Sequence, residues 1–353
     1  MRRVLLVLGL MLFLSSPAAA QNTVAMTFST IANAGPNFAN VDISPSGDRV
    51  LYVKCDAHKW WSFLPTGLKR FLTTAVGCSS RALVVVSVGG ESIASMPYPD
   101  KRYWDPHFVG EDRIVLYDHR DDRIRLFSIS PGVALRPIED QTRGLSHRGS
   151  NPKVSAGLFR GKLSIAFEGP VGRIAIETVD GKDLHLLDGF HIVHANDVGL
   201  AGNVVWFRVA IKKKMLDAYR GPAKIIARYP FPGGGGPGVE EASGFAVFGP
   251  NSGAIDTEIL NFLRRFNPTL PYVQDRGRLR YQIVDVSPNG DFLIALDRSR
   301  FFLLEQRYGE IRPVEVSVPG GPFPRAVVDD GRMVAIERTS TGDRLIKFGT
   351  PIE

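Results

Sequence analysis

The segment Val41–Val53, VDISPSGDRVLYV, returns at Val284–Leu296 as VDVSPNGDFLIAL, with six of the first eight positions identical. Each copy is a short apolar strand, a Ser-Pro-x-Gly turn and a second strand rich in Val, Ile, Leu and Tyr, the pattern of a β-hairpin. Pro45 and Pro288 preset φ for the second turn position, and Gly47 and Gly290 close the turn because a residue without Cβ accepts positive φ. A chain that reuses this device is expected to be all-β, built as a radial array of small sheets.

Met1 to Ala20 reads MRRVLLVLGLMLFLSSPAAA: two arginines, an apolar run from Val4 to Leu14 and a small-residue segment ending Ala18-Ala19-Ala20. These are the three regions of a secretory signal peptide. The apolar run is shorter than the roughly 20 residues a spanning helix needs, and no later run approaches that length. Residues 1–20 are therefore expected to be a removed leader, and residues 21–353 a periplasmic or secreted protein with no integral membrane segment. Loss of Arg2 and Arg3 lowers the formal charge from +7 to +5, and that charge is scattered. The one basic run, Lys212-Lys213-Lys214, reads as a solvated loop, so neither a basic stripe nor a recognition element suggests nucleic acid.

Cys55 and Cys78 are the only cysteines, and in an exported chain an even pair reads as a disulfide. The bond would tether the insertion His58 to Thr74, which contains Lys59, Trp60 and Trp61. Neither cysteine lies in a CxxC, and two are too few for a structural zinc site.

Taken in order, hairpin units run from Phe38 to Pro97, from Trp104 to Ile138, from about Pro152 to Leu187, from Phe190 to Phe248, from Tyr281 to Val316 and from Pro324 to Phe348. The Gly-rich stretch 232–238 lacks the Lys-Ser/Thr of a phosphate loop and reads as a connection. One helix is expected at about Ile255 to Phe266, with Ile255, Ile259, Leu263 and Phe266 on one face, Asp256 as cap and Pro268 as terminator. The last unit is one strand short, and Val24–Ser29 is an unassigned strand of the right type that would complete it. The expected fold is thus a single β-propeller domain over 21–353, closed by its N-terminal strand. Six blades fit best; seven remain open, because the interval between the fourth and fifth inner strands is about two repeats long.

With these hairpins and spacings the chain resembles the β-propellers of the TolB type and the N-terminal propellers of prolyl-oligopeptidase-like (S9) serine peptidases. The stretch Ile255 to Leu296, a short helix, Asn267-Pro268 and a strand leading into VDVSPNGD, is particularly similar to later blades of the peptidase propellers. Those peptidases carry an α/β-hydrolase domain with a G-x-S-x-G nucleophile, and no such motif occurs here. The resemblance therefore implies the fold and no catalytic residue.

Propeller ligands meet the central channel or its mouth, which singles out polar residues on inner strands: Asp42, Asp285, Asp105, His107, His147, His191, His194, Asn196 and Asp197. Asp105, His107, His194 and Asp197 are the leading ligand-binding candidates, and Trp60 and Trp61 the candidate partner surface. The same side chains also suit strand capping and satisfaction of buried backbone groups. The leading expectation is a non-catalytic exported propeller that binds a protein or peptide partner and needs no cofactor. Two alternatives are an accessory subunit for a hydrolase on a separate chain, and a metal-dependent enzyme built on His107 and His194, although a strand would point His191 and His194 to opposite faces.

Overall fold

A computed structural model of the chain describes residues 22–36, 40–58, 63–65, 67–68, 71–72, 78–98, 103–118, 120–121, 123–130, 132, 134–138, 143–144, 154–169, 172–188, 192–231, 236–266, 281–296, 300–307, 310–318 and 321–352. Among the described residues it is all-β, with two helical additions. The first sheet orders β2 (Val41–Ile43), β3 (Arg49–Asp56), β4 (Ser80–Ser87) and β5 (Ser92–Pro97). The second runs β6 (Tyr103–Phe108), β7 (Arg113–Asp118) and β8 (Arg123–Ser128), with the fragments β9 (Arg136–Pro137) and β10 (Arg143–Gly144) on β8. The third is β11 (Val154–Phe159), β12 (Lys162–Gly169), β13 (Arg173–Thr178) and β14 (Leu184–Leu187).

The fourth sheet breaks chain order. It contains β15 (Ile192–Ala201), β16 (Val204–Lys212), β17 (Lys224–Pro230) and β18 (Val239–Val247), with β18 beside β16 and β17 on the outside. After β16 the chain leaves the sheet through α1 (Lys213–Ala218), so the lysine run read as a loop ends a strand and opens a short helix. The second helix, α2 (Ser252–Phe266), starts before the expected Ile255, because Asn251 O already accepts from the amides of Ala254 and Ile255. Asp256 lies inside the helix and pairs with Lys224 at 3.5 Å instead of capping it.

An eight-stranded sheet holds the rest: β19 (Tyr281–Val286), β20 (Phe292–Leu296), β21 (Arg300–Arg307), β22 (Glu310–Ser317), β1 (Asn22–Gly35), β25 (Arg344–Pro351), β24 (Met333–Arg338) and β23 (Phe323–Val327). Its two halves are joined only by β1. Residues 22–25 pair parallel with β22, and from Met26 onward the strand pairs antiparallel with β25. The strand expected at Val24–Ser29 is therefore longer at both ends, and it lies outside β25.

The first strands touch in sequence: β2 with β6, β6 with β11, β11 with β15, β15 with β19, β19 with β23, and β23 with β2. The hydrophobic core has the same order. Leu51, Val53, Leu83 and Val85 pack against Ile114 and Leu116 of the second sheet. From the opposite faces of the same strands, Val50, Tyr52, Val84 and Val86 pack against Val334 and Ile346. A strand covered on both faces gains from apolar residues at every position, which is why the β3 and β4 segments read as unbroken Val/Leu runs.

Both repeated turns form as their sequence dictates. Gly47 N donates to Ser44 O and Gly290 N to Ser287 O, each at 2.8 Å, with φ of 76° and 99° at the glycines. Ser44 and Ser287 are fully buried, and their hydroxyls accept from Arg49 N and Asp291 N. Cys55 and Cys78 form the expected disulfide, with a Cα–Cα distance of 5.5 Å. No helix among the described residues is long and apolar enough to cross a membrane.

Candidate ligand-binding site

The first strands of the four smaller sheets and the two end strands of the eight-stranded sheet converge on one cavity of about 320 Å³, so that β2, β6, β11, β15, β19 and β23 each contribute wall. Asp42 shows how the repeated hairpin builds that wall. Ile43 on one side of it is buried in the inter-sheet core, so period-two alternation turns Asp42 the other way. There its Oδ2 accepts from Phe108 N of the next sheet at 2.7 Å, and its Oδ1 accepts from Ile43 N at 2.9 Å. Asp285 occupies the same place in the second copy, and its Oδ2 accepts from Val327 N of β23 at 2.9 Å. The aspartate of the motif thus clips its strand to the next one around the cavity, between two sheets at Asp42 and between the two ends of the eight-stranded sheet at Asp285. The turns add further clips: Ser46 N donates to Glu111 Oε1 at 2.6 Å, and Asn289 N to Asp329 Oδ1 at 2.7 Å.

His107 brings an ionisable group to the Asp42 clip, with its Nδ1 3.4 Å from Asp42 Oδ2. Burial alone would lower its pKa, but Asp42, with help from Asp105 and Asp197, outweighs burial and raises it. The 30 % of the His107 side chain that remains accessible lines the cavity, so its exposure is to the channel wall. Burial raises the pKa of Asp285, an acid, and the Asp42 charge reinforces the rise. Hydrogen bonds from Val327 and Val286 and the neighbouring His107 oppose the rise, and the carboxyl is pushed up to about 8. At neutral pH the wall therefore holds a protonated carboxyl at Asp285, and beside Asp42 the His107 imidazole keeps its proton to higher pH than a free one.

Asp105 has φ of 47°, in a region that non-glycine residues rarely occupy, where the pairing of β6 with β7 skips between Trp104 and His107. The bulge sets Asp105 and His107 on the same cavity. Across from them, Asp197 acts electrostatically on both His107 and Arg325. Burial lowers the Arg325 pKa, as do Arg344 and Arg208, and Asp197 opposes the shift. A guanidinium starts high enough to remain charged at neutral pH. Trp206 closes part of the wall by lying over Gly199, where an added Cβ would stand 1.8 Å from the indole.

The expected residues Asp105, His107 and Asp197 thus line one cavity, together with Asp42, Asn196 and Asp285. The backbone of His194 lies in β15, whose register shifts between Ile192 and His194 and again between Ala195 and Asp197, so strict alternation does not hold there. The His194 side chain, His147, His191, Trp60 and Trp61 lie outside the described residues. Among the described residues, no group of three or more His, Cys, Asp or Glu side chains is placed to hold a metal ion. Arg325, Arg208 and Trp206 were missed, although Arg208 is conspicuous as a charge inside the apolar run VVWFRVAI. Carboxylates, an imidazole and guanidiniums around one small cavity suit recognition of a group that presents both signs of charge. No family model matches the chain, and neither does any curated protein.

Proposed function

We propose that the chain is an exported six-bladed β-propeller that binds a peptide segment of a partner protein in its axial cavity and catalyses no reaction itself. The single observation that carries this reading is the cavity itself, with a wall drawn from β2, β6, β11, β15, β19 and β23 and charges of both signs. The cyclic contacts of those strands, and cores that join each group of strands to the next and the last to the first, support six blades. On this reading β1 closes the ring as outer strand of the sixth blade. The SPxGD hairpins support a TolB-like or peptidase-type propeller, and the leader pattern with the Cys55–Cys78 disulfide supports a periplasmic or secreted site of action.

A cavity of about 320 Å³ is at the small end of ligand sites, which span about 300–1,000 Å³. It accommodates the tip of a chain, such as one or two side chains or a terminus, and leaves the rest of a partner outside. The test is affinity capture of the mature protein from the envelope or secreted fraction, run in parallel with Arg325→Gln and Asp197→Asn, with a serine-hydrolase probe on the eluates. A stoichiometric partner retained by the wild type and lost from both variants supports the proposal. A partner held equally by the variants removes the cavity from the function, and probe labelling of a co-purifying chain makes the propeller a hydrolase subunit.

A further inference from the structure

A second cavity, of about 440 Å³, shares no lining residue with the axial one. The out-of-order strand of the fourth sheet creates it: β17 stands outermost, α1 precedes it and α2 follows β18, and the cavity is an open cleft lined by α1, β17 and α2. Its floor is apolar, from Leu216, Tyr219, Ile225 and Leu260, of which Tyr219, Ile225 and Leu260 are only partly buried. Its rim carries Arg220, Lys224, Arg228 and Arg264, and its lining contains the single carboxylate of Asp217.

These cations have different obligations. Arg228 is held by Asp217 at 2.7 Å and by Glu240 at 2.5 Å, which uses the one lining carboxylate. Lys224 stands 3.5 Å from Asp256. Among the described residues, Arg220 donates to the carbonyls of Asp217 and Tyr219, and Arg264 to the amide oxygen of Asn261 at 3.4 Å, so neither faces a carboxylate there. Both guanidiniums line this one cavity, and an anion reaching both would accept charge-assisted hydrogen bonds from each. The half-buried apolar floor below them would remain wet unless the same ligand also carried an apolar body.

We propose that this cavity is a separate binding site for an amphiphilic anion, with a phosphate- or sulfate-type headgroup between Arg220 and Arg264 and an apolar body on Leu216, Ile225 and Leu260. The proposal goes beyond the axial reading and is independent of it. Calorimetric titration of the mature protein with octyl phosphate, kept below its micelle-forming concentration, tests the site. Inorganic phosphate and octyltrimethylammonium serve as comparison ligands. Arg220→Gln and Arg264→Gln change exposed side chains, and each should weaken octyl phosphate about five- to tenfold, as expected for loss of a charged hydrogen bond near solvent. Lys182→Gln, whose side chain is 81 % exposed on the third sheet, should leave affinity unchanged. Binding of octyl phosphate that exceeds inorganic phosphate and the cationic amphiphile, and that falls in both arginine variants alone, supports the site. Absence of binding, equal binding of any comparison ligand, or equal loss in Lys182→Gln overturns it.

Discussion

Replacing Asp285 by Asn tests the electrostatics of the axial wall most directly. Asn keeps the shape and neutrality of the protonated acid, and its side-chain oxygen can still accept from Val327 N. With the Asp285 pKa raised from 3.8 to about 8, the folded chain retains a proton that the unfolded chain releases, throughout the interval between those values. Stability therefore falls as pH rises across this interval, because the native state binds more protons than the unfolded state. Each unit of pH costs at most about 1.4 kcal/mol, so going from pH 5 to pH 8 costs up to about 4 kcal/mol, or roughly 2–4 once screening by the cavity is allowed for. His107 acts in the same direction, since its raised pKa contributes stability that is lost as pH rises through the folded value. Urea unfolding at pH 5, 6.5 and 8 should show the stability advantage of Asp285→Asn over wild type growing by about 2–4 kcal/mol from pH 5 to pH 8, with a residual slope from His107 in both proteins. Infrared spectra at pH 6.5 should contain a protonated-carboxyl band that the variant lacks. Parallel pH profiles for the two proteins, or an advantage that shrinks toward pH 8, would refute the reasoning.

Cys55→Ser with Cys78→Ser removes a link across 23 positions and should lower stability by about 3 kcal/mol, seen as a lower urea midpoint that added reductant reproduces in the wild type. Arg125→Met removes the cation whose Nε stands 2.5 Å from the fully buried Asp118 carboxylate, leaving the charge uncompensated though still accepting from Arg120 N, and should cost about 3 kcal/mol in the same assay. Gly199→Ala forces the Trp206 indole out of its place on the cavity wall; we expect about 1–3 kcal/mol of destabilisation and a shift in tryptophan emission. Unchanged stability and emission in that variant would mean that Trp206 does not lie over Gly199.

What the residues disclosed in advance was mostly local. Ser44-Pro45-Ser46-Gly47 and Ser287-Pro288-Asn289-Gly290 define their turns through φ preferences and short-range hydrogen bonds, and both form as read. The Cys55–Cys78 pair and the strand near Val24 were legible for similar reasons, as a forced pairing and as an apolar segment lacking a partner. The order of the fourth sheet was not, because the choice of β18 over β17 by β16 depends on packing between segments far apart in the chain. α1 was missed because two helical turns leave too short a periodic signal beside three lysines. At the site, the acidic residues and His107 stood out by their chemistry, whereas Arg325 acquires meaning only when β23 is brought opposite Asp197.

The double pairing of β1 also orders events in time. Its partners, residues 310–317 and 344–351, are translated close to 300 residues after it. At synthesis rates of about 5–20 residues per second, β1 waits on the order of tens of seconds with both edges bare, while sheets with sequence-local partners can already assemble. The seam between residues 22–35 and 344–351 is thus the step with the longest loop to close. A holding chaperone would have its most persistent target in the TVAMTFSTIA segment of β1.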